Sequence, residues 1–168
     1  QVNVAPPPSG WTGQHSSPLL LDGKLIVAGL TDLSGTNGFA LARYDSDGRL
    51  DTSFGREGRV TTSFGPGGSL VHDVVVQSDG KIVLAGHQHT SAIERLVRFT
   101  PDGQPDPSFG VDGIATWGIA GDVNMKPSLA LQSTGGILFA CHAEAWGEIV
   151  VVRYTVTGQV DATFGIGA

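Results

Sequence analysis

Short apolar runs separated by glycine-bearing turns occupy most of the chain, and they recur in groups of four. The first run of each group (19–21, 71–77 and 128–132) leads into an Asp-Gly or Thr-Gly pair, a strong local hairpin signal. The second (25–28, 82–85 and 137–140) is apolar throughout, as expected of a strand buried on both faces. After a loop of changing length comes the third: FALARY at 39–44, RLVRF at 95–99 and IVVVRY at 149–154. A glycine-rich phrase then turns the chain into a fourth run, 59–63 or 114–117. None of these stretches carries helical periodicity.

The turning phrase fixes the organisation. It reads DGRLDTSFG at 47–55, DGQPDPSFG at 102–110 and TGQVDATFG at 157–165. Phe54, Phe109 and Phe164 stand 55 residues apart, as do Arg43, Arg98 and Arg153. A second phrase precedes it each time: LDGKLIVAG, SDGKIVLAG and STGGILFAC. Self-similarity at a fixed period marks a repeat architecture. Four short antiparallel strands per copy, apolar on both faces, describe a β-propeller blade that must stack on neighbours. The third copy departs from the pattern by losing its Asp-Gly pairs and its lysine.

The expected fold is therefore all-β, with four-stranded antiparallel blades and three blades in the chain. Residues 15–63, 64–118 and 119–168 form the three blades, the last without its fourth strand. Residues 1–14 supply a strand and a loop. Residues 2–5 align with the fourth strand of a blade, and His15 to Lys24 aligns without gaps with His72 to Lys81. Three blades are too few to close around a channel, since propellers typically have four to eight. A head-to-tail homodimer is expected, in which each N-terminal strand completes the partner's last blade and the ring has six blades. A fragment of a longer propeller is the alternative.

DGKIVLAG followed by LVRF and DGQPDPSFG resembles the delta-60 repeat of bacterial β-propeller proteins, and the resemblance extends from Leu19 to nearly the end of the chain. It implies a propeller, usually in exported or surface proteins, and does not imply any one activity.

A net charge of −6 argues against a nucleic-acid partner, which requires a basic footprint. No apolar run approaches membrane-spanning length. The start at Gln1, the proline-rich entry and the scarcity of lysine suggest a secreted or cell-surface chain whose signal peptide has been removed. Cys141 is the one cysteine, so no intrachain disulfide can form, and it is expected to be a buried packing thiol.

Residues that recur in every copy are expected to build the blade. Asp51, Asp106 and Asp161 should cap turns, Arg43, Arg98 and Arg153 should pair with carboxylates or strand carbonyls, and the phrase phenylalanines should wedge between blades. The carboxylates of 45–51 superficially suggest a calcium loop, but their counterparts lose them, and a plain turn is expected. GPGGS at 65–69 lacks the Lys-Ser/Thr of a phosphate loop and reads as a connection. No GxSxG, HExxH, CxxC or dinucleotide fingerprint is present, and no cofactor is expected.

Antiparallel alternation places loops 31–37, 87–94 and 142–148, and connections 6–14, 64–73 and 118–126, at one end of the propeller. Histidines and tryptophans gather there: Trp11, His15, His72, His87, His89, Trp117, His142 and Trp146. Trp11, His72, His87, His89, Trp117, His142, Glu144 and Trp146 are the candidate ligand-binding residues, because such side chains on loops over a rigid scaffold commonly form binding surfaces. His87 and His89 share a face in extended backbone and have metal-ligand spacing, although no three-ligand set is visible. Trp146 with His142 and Glu144 could form a sugar platform. The expected function is a non-enzymatic binding module for a glycan or other surface polymer. The alternatives are a structural protein forming a head-to-tail filament or layer, and a hydrolase or lyase acting at the channel mouth.

Overall fold

The structure, a computed structural model, describes residues 11–15, 19–21, 23–33, 36–62, 69–88, 93–118, 127–143 and 147–165. These form twelve strands: β1 (Trp11–His15), β2 (Leu19–Leu21), β3 (Lys24–Leu33), β4 (Thr36–Tyr44), β5 (Arg59–Thr62), β6 (Ser69–Val76), β7 (Ile82–Gln88), β8 (Ile93–Phe99), β9 (Ile114–Gly118), β10 (Ser128–Leu131), β11 (Ile137–Ala143) and β12 (Glu148–Tyr154). They pair antiparallel in three sheets. The first has the order β1-β3-β4-β5, with β2 also on β3; the second is β6-β7-β8-β9; the third is β10-β11-β12. Among the described residues, no helix is long and apolar enough to cross a membrane.

The all-β expectation matches these sheets, and the second and third copies keep the expected strand pattern; the first has a further strand, β1, most of whose residues fall in the expected connection 6–14. Strand lengths differ from the expected pattern at the loop end. The β3–β4 hairpin stays in register out to Leu33 and Thr36, so most of the expected loop 31–37 is strand. Likewise β7 continues through His87 to Gln88, and β8 begins at Ile93. Once two strands are in register, each further pair satisfies backbone groups that would otherwise need other partners. In the first sheet, β1 and β2 both pair with β3.

The core lies between the sheets. Ile26, Ala28, Leu41 and Phe54 of the first sheet meet Leu84 and Phe99 of the second. Val83, Leu96 and Phe109 of the second meet Ile137, Phe139 and Tyr154 of the third. Cys141 lies in this second cluster, buried at 4% exposure. The recurring phrase joins each sheet to the next. Arg43 Nη1 donates to the Pro101 carbonyl and Arg98 Nη1 to that of Val156, both at 2.6 Å. The amides of Gly55 and Gly110 donate to the carbonyls of Asp102 and Thr157 at 2.7 and 2.8 Å. Phe54 and Phe109 are fully buried and press against Gly103 and Gly158, whose positive φ (87° and 81°) and lack of a side chain leave room for the rings. The third copy has Thr where the others have Asp before this glycine, yet its turn is kept, with Thr155 Oγ1 accepting from the amides of Thr157 and Gln159.

Candidate functional site

The recurring charged residues are occupied with each other. Nε of Arg43, Arg98 and Arg153 donates to Oδ2 of Asp51, Asp106 and Asp161 at 2.9, 2.8 and 2.9 Å. The other carboxylate oxygen accepts the amide two residues on, at Ser53, Ser108 and Thr163. Each guanidinium lies 4.4–4.7 Å from the centre of its phrase phenylalanine ring. Lys24 and Lys81 add a second cation to Asp51 and Asp106, at 2.7 and 3.2 Å, where the third copy has Gly136. Bonds from Lys24 and Ser53 hold the Asp51 carboxyl well below the usual carboxylate range. Burial pushes Asp106 up, but Ser108, Lys81 and Arg98 outweigh it and hold that carboxyl low as well. These groups form structural ion pairs that fasten the turns.

A different arrangement stands at the other end of the second sheet. His87 on β7 pairs directly with Glu94 on β8, as Ala85 pairs with Leu96 one step deeper in the core. Val83, Ala85 and Leu96 face the third sheet, so alternation aims His87 and Glu94 at it too. Burial, then the charges of Glu94 and of Cys141, raise the Tyr154 phenol of the third sheet well above its ordinary value. On β6, Val71 pairs with Gly86 and Asp73 with Ala85, leaving His72 as the extra residue of a β-bulge. The bulge brings His72 beside His87, with Nε2 3.0 Å from Nδ1 and the rings stacked 4.9 Å apart. His87 Nδ1 also lies 3.1 Å from Glu94 Oε1. His87 and Glu94 are buried at 2% and 3% exposure, and His72 is half-buried.

Two features hold this geometry. A Cβ on Gly86 would stand 2.1 Å from the Leu70 carbonyl oxygen, so only glycine lets β6 cross β7 this closely. Asp73 fixes the strand beyond the bulge, accepting the Val74 amide through Oδ1 and the Leu129 amide of the third sheet through Oδ2.

The structure thus unites two of the expected site residues, His72 and His87, and adds Glu94. It corrects the setting of His87, which is a buried strand residue and not part of an exposed loop, while His72 lies in β6, within the expected run 71–77. His142 is exposed on β11, paired with Ile149. Trp11 starts β1 opposite Thr31, and Trp117 lies on β9 opposite Glu94. His89, Glu144 and Trp146 fall outside the described residues, and with them the His87–His89 pair and the expected sugar platform. Glu94 was discoverable by comparing copies. The residues at its place are Phe39 and Ile149, and those at the place of His87 are Leu30 and His142. An acid facing a histidine occurs in the second copy alone.

A crevice lies at the opposite, turn-rich end between the second and third sheets. It measures about 620 Å³ and is lined by Gln77, Asp79, Lys81, Arg98, Gln132 and Val156 among others. Its charged walls belong to the turn-fastening network.

Comparison with known families finds that residues 20–54 and 77–109 match a family described as a domain of unknown function (DUF5122) beta-propeller. A search of curated proteins found no match. Each matched stretch ends on a phrase phenylalanine, Phe54 in one and Phe109 in the other. Together with three antiparallel sheets packed face to face, the match supports a β-propeller repeat family.

Proposed function

We propose that the chain is a β-propeller binding module of the delta-60 kind, non-enzymatic and exported, that holds its ligand at the loop end. One contrast carries this reading. The residues that recur in every copy hold the sheets together, whereas His72, His87 and Glu94 at the loop end occur as a set in the second copy alone. Binding sites are commonly built from such variable residues on a rigid frame. A glycan or comparable surface polymer is the ligand class, supported by the strand positions of Trp11 and Trp117 at this end and by exposed His142. A glycan-array screen tests it. Trp117→Ala and Trp146→Ala should lose signal, and Lys81→Ala, at the turn end, should retain it. Capture abolished at Lys81 alone would place the ligand in the opposite crevice.

The ring, in this reading, is completed by a second copy joined head to tail. The third sheet presents outward the face that the second sheet buries. Leu96 is 1% exposed but its counterpart Val151 is 46% exposed, and where Glu94 is buried Ile149 is 76% exposed. Phe164 is half-buried where Phe54 and Phe109 are fully covered. A turn equivalent to 101–103 recurs in the first copy at 46–48, so a second copy can offer the carbonyls that this face is shaped to meet. Strand completion by residues 2–5 belongs to the same proposal. An association that fails to close would instead form a filament.

A further inference from the structure

We propose that His72, His87 and Glu94 bind a divalent transition-metal ion, and that the ion is zinc. One donor atom from each residue lies within 4.8 Å of the other two. The contacts through His87 Nδ1 measure 3.0 and 3.1 Å. Ligands held about 2.0–2.1 Å from a tetrahedral zinc ion sit about 3.3 Å from each other, so the two contacts approximate edges of such a shell.

Hydrogen bonding alone serves this cluster poorly. A ring nitrogen carries either a proton or a lone pair. If His87 Nδ1 is protonated, one proton is shared between the Glu94 carboxylate and the His72 nitrogen. If it is bare, its lone pair faces the carboxylate. A cation between the three groups meets the lone pairs of both ring nitrogens and of Glu94 Oε1 at once. An independent observation points the same way: Glu94 Oε2 is buried and has no hydrogen-bond partner among the described residues. A buried carboxylate oxygen left so is costly, and a metal ion at its partner oxygen compensates the charge.

The donor chemistry selects the ion. Two imidazoles and one carboxylate suit zinc and its neighbours, whereas calcium and magnesium prefer oxygen shells. Two histidines and a glutamate are also a recurrent set in zinc sites that keep a position open. The bulge at His72 and the close strand crossing at Gly86 are the devices that aim the third ligand. That the open position takes part in ligand capture rests on the binding-module reading above; the metal site itself does not.

The test is metal content and affinity of the whole chain, stripped with a chelator and titrated with zinc. One zinc per chain is expected. Glu94→Gln, which keeps shape and burial, and His72→Ala should each weaken uptake by more than the roughly 10–100-fold typical of outer-shell changes. Cobalt substitution should give the absorption bands of a four-coordinate ion, and Glu94→Gln should abolish them. Wild-type chain that takes up no stoichiometric zinc, or variants that take it up as well as wild type, would overturn the site. Zinc uptake without glycan capture would uphold the metal site and sink the glycan reading; glycan capture by a chain that takes up no zinc would do the reverse.

Discussion

Asp106 and Asp161 hold the same place in successive copies but not the same surroundings. Asp106 and Arg98 side chains are 6% and 4% exposed, with Lys81 nearby; Asp161 and Arg153 are 22% and 26% exposed, with Gly136 where the lysine would be. Removing one partner of a buried pair strands the other charge, so Asp106→Ala should cost about 3–5 kcal/mol. The matching Asp161→Ala should cost less, because solvent screens that pair. Urea denaturation of both variants measures the difference, and equal losses would refute the ranking. The carboxyls of Asp51 and Asp106 are held below their unfolded value, so their contribution is present above about pH 4. It is lost as the pH falls from there toward the lower folded-state values. Urea midpoints should therefore drop between pH 5 and pH 3, and Asp106→Asn should flatten that drop. Phe109, fully buried between two sheets, should lose about 3–5 kcal/mol on truncation to alanine. A loss below about 1 kcal/mol would mean the ring is not the wedge it is taken to be.

At the scale of strands and turns, the sequence was most readable where it repeats. Three copies of DGRLDTSFG and its relatives locate the turns, the arginine–aspartate pairs and the wedges, because each residue type has one local task that its neighbours share. Strand ends at the loop side were less readable, since register pairing carried β3, β4 and β7 past the point where apolar character fades. The bulge at His72 left no signal in hydrophobic pattern. It depends on β6 meeting β7 across Gly86, a relation between distant residues. Glu94 stands out only when the copies are compared, because its neighbours in sequence read as loop. Gly86→Ala tests the role of the crossing: the added methyl must displace Leu70 or its strand, so both thermal stability and zinc uptake should fall. A variant that melts and binds zinc like wild type would show that the bulge does not depend on this glycine.

For the whole molecule, the question is what lies against the third sheet. The first two sheets are each covered by the next through the same contacts, and the repeat gives the third sheet the same donors and ring with an apolar face still open to solvent. Val151→Asp should place a charge in the proposed junction while sparing the two interfaces within the chain, and should separate the copies without unfolding them. The most direct measurement is the mass of the chain in solution, by light scattering coupled to size exclusion at micromolar concentration. Head-to-tail closure predicts a single species of twice the 17.4 kDa chain mass, reduced to one chain by Val151→Asp. A wild-type chain that stays at its single mass across the concentration range would contradict it.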